Sequence, residues 1–275
     1  MSAPKNDGIW MGIKSIFLWI GGIGLTLLLG GPVTLLAIFG AANAIHSIAV
    51  FWGRTVCAML GMKVEVENPE KIHRDGPVIV VSNHQSISDV FVMYAGLPIG
   101  FRWMAKHTLF KIPIVGWGMA GAGYIAVNRD DRRKAMESMF AAAEQIKKGK
   151  SVIVFPEGTR GRPDGTMLPF KKGGFVLAMK AGVVIQPITI WGASKLMPKQ
   201  KNRWIQRFYP GPVKMIVHDP IPPEEYKDLK IEELSGKIRA IIGGPMDRLR
   251  EEFGDPPAPN QDKDASPAAK PAGKA

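Results

Sequence analysis

A histidine and an aspartate five positions apart follow a short apolar stretch in the first third of the chain. The stretch 77–81 fits a buried strand, and the polar residues after it include His84 and Asp89. A histidine takes up a proton near neutral pH, and a carboxylate bound to its other ring nitrogen fixes its tautomer. Because residues five apart on one helix point in different directions, the pair meets only if His84 lies in the loop and Asp89 in the first helical turn. We expect a general base here; the alternative is an ordinary loop histidine before a helix capped by Ser86 or Ser88.

Two further predicted strands end in polar loops. A strand at 124–127 is followed by Arg129, and a strand at 151–155 is followed by the loop 156–160. Since α/β proteins place reactive groups where strands open into loops, we expect the three strand ends to form one site.

The loop 156–160 and the segment after it suit an anionic ligand. Gly158 allows a sharp backbone turn, and Arg160 offers a planar fork of donors for a phosphate or carboxylate. Glu157 could orient that arginine or a substrate hydroxyl. Lys171 and Lys172 precede a predicted helix, whose N-terminal amides also favour anions.

Size, charge and cysteine content narrow the classes of function. The chain has 275 residues and a formal net charge of +12, which suits anionic partners such as phosphorylated substrates, anionic membranes or nucleic acid. Its single cysteine, Cys57, excludes an internal disulfide framework. The five histidines form no metal-ligand pattern, so the sequence predicts no metal site.

The N-terminal part of the chain is strongly apolar. No charged residue occurs in 15–53, and as one helix this run would be about 58 Å long, nearly twice a bilayer core. Residues 30–32, Gly-Gly-Pro, predict a turn between helices at 15–29 and 33–53. We expect a membrane-embedded hairpin, with basic residues at both outer ends on the cytoplasmic side. A cleaved signal peptide ending at 42–44 and a buried soluble helix pair are the alternatives.

The rest of the chain predicts an α/β fold with a mixed central sheet flanked by helices. Strands are predicted at 78–81, 99–104, 124–127, 151–155, 183–190 and 213–218. Helices are predicted at 87–94, 109–119, 130–148, 174–181 and 232–252. We divide the chain into the hydrophobic hairpin at 1–56, the α/β domain at 57–253 and a disordered Pro/Ala/Lys tail at 254–275.

Four sequence blocks together resemble a known family. They are NHQSISD, AKHTLFKIPIVGWGMAGAGYIAVNR, FPEGTR with the following LPFKKGG, and VIQPI. In order and spacing they resemble the glycerolipid acyltransferase family, closest to its bacterial 1-acyl-sn-glycerol-3-phosphate acyltransferases. The resemblance covers about residues 60–220, and the apolar hairpin is similar to the membrane-embedding element of that family.

The resemblance implies roles for individual residues. His84 would be the general base on the glycerol hydroxyl, Asp89 its orienting partner, and Arg160 the ligand of the substrate phosphate with Lys106 as a helper. The implied substrate-binding residues are Lys106, Arg129, Glu157, Gly158, Thr159 and Arg160, with Lys171 and Lys172 as further anion or donor contacts.

The implied reaction moves a fatty acyl chain from acyl-CoA or acyl-ACP to the sn-2 hydroxyl of 1-acylglycerol 3-phosphate, giving phosphatidic acid. It would proceed by direct transfer, without metal or bound cofactor. Alternatives are another acceptor (glycerol 3-phosphate or a lyso-aminolipid), a membrane-anchored esterase using Ser82 or Ser86 as nucleophile, and a non-catalytic lipid-binding protein.

The expected partners are both substrates, membrane lipid and an acyl carrier protein. The segment 195–210 interleaves basic and aromatic residues, a composition that suits anionic lipid, nucleic acid or a solvated loop. Because the N-terminus is apolar, we favour the membrane over nucleic acid. The expected location is the bacterial inner membrane, with the catalytic domain on the cytoplasmic face.

Overall fold

The computed structural model describes residues 9–128, 131–162, 165–198 and 206–255. Its helices are α1 (Ile9–Ile38), α2 (Ala42–Leu60), α3 (Asp89–Gly96), α4 (Val115–Gly121), α5 (Arg132–Lys147), α6 (Gly173–Ala181), α7 (Ala193–Leu196), α8 (Ile231–Gly243) and α9 (Met246–Glu252). Its strands are β1 (Met62–Glu67), β2 (Val78–Ser82), β3 (Phe101–Lys106), β4 (Ile125–Val127), β5 (Ser151–Val154), β6 (Val184–Trp191) and β7 (Gly211–Val217).

In the described part of the chain, seven strands form one mixed sheet in the order β1-β7-β6-β2-β5-β3-β4. All neighbouring pairs are parallel except β6 and β7, which are antiparallel. The predicted α/β fold with a mixed central sheet is therefore confirmed. Since β6, β2, β5, β3 and β4 share one direction, their carboxyl ends lie along the same edge.

Strand β2 shows how the two sides of the sheet are filled. Successive side chains of a strand point to opposite faces. Val78 and Val80 accordingly pack with residues of α2 and α3, whereas Ile79 and Val81 pack with α5, α6 and α8. Because both faces are covered by helices, every residue of β2 is buried, as its unbroken apolar sequence predicts.

The predicted turn at 30–32 is wrong. Helix α1 continues through Pro32, and the chain reverses instead at Gly40, whose φ is +65°. A proline inside a helix removes one hydrogen bond and crowds the carbonyl of residue i−4. Membrane helices tolerate it where neighbouring groups satisfy the freed carbonyl. Gly30 serves packing rather than turning, since a Cβ there would lie 2.5 Å from Ile114 of the segment before α4.

Helices α1 and α4 approach closely through small residues. A Cβ on Gly118 would lie 2.8 Å from Val33, and one on Gly121 would lie 2.5 Å from Ala37. Small residues at helix contacts are typical of membrane proteins. Among the described residues, α1 is the one helix long and apolar enough, by length and composition, to cross a membrane.

Other elements also differ from the predictions. In place of the helix predicted at 109–119, a 3-10 helix (His107–Lys111) precedes α4. No strand is predicted at 62–67, but β1 forms there and pairs with β7 at the edge of the sheet. The single C-terminal helix predicted at 232–252 is two helices, because Pro245 has no amide hydrogen to continue α8.

The domain division stays a prediction. Helix α2 runs through the proposed boundary at 56/57, and most of the tail lies outside the described residues.

Candidate active site

Residues from neighbouring strands meet at the carboxyl edge of the sheet. His84 follows β2, the loop 156–160 follows β5, and Lys106 ends β3. Because β2, β5 and β3 are adjacent and parallel, these segments come together as the sequence analysis expects. Arg129, which follows β4, lies outside the described residues.

The side chains of His84 and Asp89 are in contact. His84 Nδ1 lies 2.7 Å from Asp89 Oδ2, with the histidine in the loop and the aspartate at the first position of α3. The same oxygen accepts hydrogen bonds from the amides of Gln85 (2.7 Å) and Ser86 (2.9 Å). Asp89 is fully buried. The three donors to its Oδ2 hold the carboxylate in one orientation. With Nδ1–H donating to Asp89, His84 Nε2 is left able to accept a proton.

The imidazole is held in place by an aromatic ring. The rings of His84 and Phe155 stack with centroids 4.3 Å apart and planes 14° apart. The histidine side chain remains 18% exposed. Its ring therefore has a fixed plane and an accessible edge, as a general base needs.

Glu157 joins the histidine loop to its own loop. Its Oε1 accepts from the amide of His84 and its Oε2 from the amide of Leu168, both at 2.8 Å. Glu157 is 2% exposed. Burial raises its pKa, and the two amide donors act in the opposite direction. With one backbone amide bound to each oxygen, Glu157 links the two loops. Its carboxylate makes no hydrogen bond or ion pair with Arg160 among the described residues, and a role in orienting Arg160 or a substrate hydroxyl stays a prediction.

The backbone places Arg160 beside the histidine loop. The amide of Gly161, the next residue, donates to the carbonyl oxygen of His84 at 2.7 Å. Arg160 is half-buried and Thr159 is exposed.

Several basic side chains at this edge have no partner among the described residues, including Lys106, Arg160 and Lys171. Lys171 also passes close to Gly158, where a Cβ would lie 2.9 Å from its Cε. Lys172, by contrast, is paired with Glu232. The described part of this edge therefore presents unpaired cations to an anionic ligand.

A largely apolar cavity of about 230 Å³ opens beside Phe155. Its lining includes Met104, Val127 and Met139, and Lys171 supplies a charge. Apolar surface next to unpaired cations and a histidine suits a ligand with a fatty chain and an anionic head.

Comparison with known proteins identifies the family. A family model described as Acyltransferase matches residues 63–191. A 1-acyl-sn-glycerol-3-phosphate acyltransferase of Chlamydomonas reinhardtii is 34% identical over 82% of this chain and 69% of its own length. This chain belongs to the glycerolipid acyltransferase family.

Two other acyltransferases extend the comparison. A chloroplast 1-acyl-sn-glycerol-3-phosphate acyltransferase of Arabidopsis thaliana is 34% identical over 86% of this chain, which spans 62% of that relative's length. The crystal structure of the 1-acyl-sn-glycerophosphate (LPA) acyltransferase PlsC from Thermotoga maritima matches with a TM-score of 0.73 and 28% identity, covering 88% of this chain and 98% of that one.

The serines of this candidate site are not arranged as nucleophiles. Ser82 Oγ donates to the carbonyl of Asn83 (3.1 Å), and Ser86 Oγ donates to the carbonyl of Met197 (2.9 Å). Both serines are fully buried. A serine–histidine mechanism requires a hydrogen bond between the nucleophile and the histidine. Neither hydroxyl is hydrogen-bonded to His84.

Sequence reasoning missed Phe155. The aromatic residue at the end of the predicted strand was the available signal, but its stacking on His84 depends on the pairing of β2 with β5. The hydrogen bonds of the Glu157 carboxylate depend on the same pairing.

Replacing Gly158 with alanine is expected to lower acyl transfer by about tenfold or more. Its φ is +70°, where a Cβ costs roughly 1–2 kcal/mol, and the new methyl group would displace Lys171. Initial rates and the midpoint of thermal unfolding, measured on the same detergent-solubilised sample, test this.

Gly182→Ala is the matched control. Gly182 has a similar φ of +62°, but nothing lies within 4 Å of its Cβ position. It should lose comparable stability and keep its activity. Equal loss of activity in both variants would mean that backbone strain, and not the displaced lysine, affects the site.

Proposed function

We propose that this chain is a membrane-associated 1-acyl-sn-glycerol-3-phosphate O-acyltransferase. It transfers a fatty acyl group from a thioester, acyl-CoA or acyl-ACP, to the sn-2 hydroxyl of lysophosphatidate, and the product is phosphatidic acid. The single observation that carries the proposal is the contact between His84 and Asp89 at an edge that also presents Arg160. The relatives are named as 1-acyl-sn-glycerol-3-phosphate acyltransferases, which supports the same reaction.

The geometry supports direct transfer with His84 as general base. As the acceptor hydroxyl attacks the thioester carbonyl, its proton passes to His84 Nε2 and Asp89 stabilises the resulting imidazolium. The C–S bond then breaks, and the thiolate leaves with the proton returned by His84. The reaction proposed requires neither a metal nor a bound cofactor.

The charges at the edge of the sheet support a phosphate-bearing acceptor. Arg160 binds the phosphate through its planar fork, and Lys106 and Lys171 contribute further positive charge. Glycerol 3-phosphate carries the same phosphate without an acyl chain; the apolar cavity beside Phe155 favours the lyso-lipid.

Exposed apolar side chains support membrane association. On α1 they include Phe17 (68% exposed) and Leu28 (73%). Trp117 (55%) adds to them on α4, the helix against which α1 packs. The proposed setting is the bacterial inner membrane with the sheet on the cytoplasmic side, where basic residues flanking an apolar segment are retained. The basic surface also suits an acidic acyl carrier protein as the donor's carrier. We propose no nucleic-acid partner.

Acyl transfer in detergent micelles tests the reaction. Long-chain acyl-CoA and acyl-ACP are each supplied with lysophosphatidate, glycerol 3-phosphate, a lyso-aminolipid or no acceptor. The proposal is supported if lysophosphatidate is converted to phosphatidate with a higher kcat/KM than any other acceptor. Release of free fatty acid without acceptor would indicate an esterase, and preference for another acceptor would replace lysophosphatidate. Absence of turnover in folded protein with every pair would overturn the assignment.

A further inference from the structure

Another cavity, of about 600 Å³, lies at the opposite edge of the sheet. It is formed at the amino ends of three neighbouring strands: Pro77 precedes β2, Lys150 precedes β5, and Arg102 is the second residue of β3. Strand β2 separates it from His84 by about 15 Å. The cavity is therefore distinct from the site described above, and its volume falls within the usual range for small-molecule sites.

Arg102 is a buried charge without a counter-ion. The residue is 3% exposed. Its guanidinium donates to the carbonyl of Phe101 (3.0 Å) and to Asn43 Oδ1 (2.8 Å), and both acceptors are neutral. No carboxylate in the described part of the chain pairs with it. Buried charges in proteins are normally paired, because desolvation is costly, and burial lowers the pKa of this arginine.

The rest of the lining adds positive charge and no negative charge. The polar and charged side chains that line the cavity are Asn43, His73, Arg74, Arg102, Lys150 and Ser151. None of its described lining residues is acidic. The chain's net charge of +12 is enough to explain exposed cations such as Arg74, but it does not explain a guanidinium removed from water.

We propose that this cavity binds a phosphate group, with Arg102 as the buried anchor and Arg74 and Lys150 at the rim. A guanidinium fork matches two phosphate oxygens, and the added lysine supplies a point charge. The phosphate belongs either to a lipid headgroup or to a soluble compound. A headgroup can reach the cavity, because Asn43 follows the hairpin turn at which Phe39 is 75% exposed.

Thermal unfolding of the full chain in non-ionic detergent, titrated with inorganic phosphate, tests the soluble source. Saturating phosphate is expected to raise the unfolding midpoint by about 2–4 °C. The double variant Arg74→Ala/Lys150→Ala should lose this rise. Lys63→Ala/Lys227→Ala removes the same charge from exposed positions elsewhere and should keep it.

Two single variants locate the bound phosphate. Arg102→Met should lose the phosphate-dependent rise, and its midpoint without phosphate should not fall, since an unpaired buried charge is removed. Arg160→Ala should keep the rise. A rise that persists in Arg102→Met, or that disappears only in Arg160→Ala, would overturn the proposal.

Vesicle binding tests the lipid source. Phosphatidylcholine vesicles with and without phosphatidylglycerol are compared at fixed salt. If Arg74→Ala/Lys150→Ala loses several-fold more binding to the anionic vesicles than the charge-matched control, the ligand is a lipid headgroup. If the two double variants bind the anionic vesicles equally, and only Arg74→Ala/Lys150→Ala loses the phosphate-dependent rise in unfolding midpoint, the ligand is a soluble phosphate compound. No difference from the control in either experiment would overturn the proposal.

Discussion

His84→Ala is expected to reduce kcat for acyl transfer by about 10²- to 10⁴-fold, the usual contribution of a general base. The alanine leaves the acceptor hydroxyl without a group to take its proton, while the acyl thioester and the acceptor still bind. The KM values should therefore change much less than kcat. Steady-state rates with lysophosphatidate and a long-chain acyl thioester measure both quantities.

Asp89→Asn and His73→Ala complete the comparison. Asparagine in place of Asp89 can still accept hydrogen bonds from the amides of Gln85 and Ser86, but it carries no charge to stabilise the imidazolium, so kcat should also fall. His73 is half-buried at the opposite edge of the sheet, and its loss should leave the rate unchanged. If His84→Ala kept wild-type turnover, the direct-transfer mechanism would be wrong.

Arg160→Ala is expected to lower kcat/KM for lysophosphatidate by about 10- to 100-fold, because charge-assisted hydrogen bonds contribute roughly 1.5–3 kcal/mol each. Monoacylglycerol, which lacks the phosphate, should be used equally by the variant and the wild type. The ratio of kcat/KM for these two acceptors isolates the interaction with phosphate.

Arg162→Ala is the matched control for this substitution. Arg162 lies two positions further along the same loop and is exposed, so its removal changes the net charge equally without removing the proposed phosphate ligand. If the two variants lost affinity equally, the acceptor would be held by general electrostatic attraction. Full activity of Arg160→Ala with lysophosphatidate would argue for an acceptor without phosphate.

The sequence predicts the centre of the fold well because burial there is nearly complete. β2 and β5 are charge-free runs, and their observed bounds differ from the predicted ones by at most one residue. β1 is missed because its sequence, MKVEVE, alternates charged and apolar residues. Half of its side chains face away from the core at the edge of the sheet, so its composition resembles that of a loop.

The candidate site, like the sheet, is predicted from the sequence only in part. Residue types and strand ends predict that His84, Asp89 and Arg160 converge, since parallel strands share an edge. The hydrogen bonds of Glu157 and the stacking of Phe155 depend on which strands are neighbours. Similarly, the glycine at position 30 is read as a turn from local sequence, while its packing against Ile114 is a contact distant in the chain.

The burial of α2 against the sheet determines how the membrane segment and the enzyme can be separated. Val56, Cys57 and Leu60 belong to the hydrophobic core, and Gly53 lies so close to Tyr94 that a Cβ would fall 2.5 Å from its side chain. A chain shortened to begin at β1 would expose this surface to water and lose part of its core. Proteolysis between α2 and β1 is therefore expected to destabilise the α/β domain, whereas a cut at the turn before α2 leaves this part of the core in place.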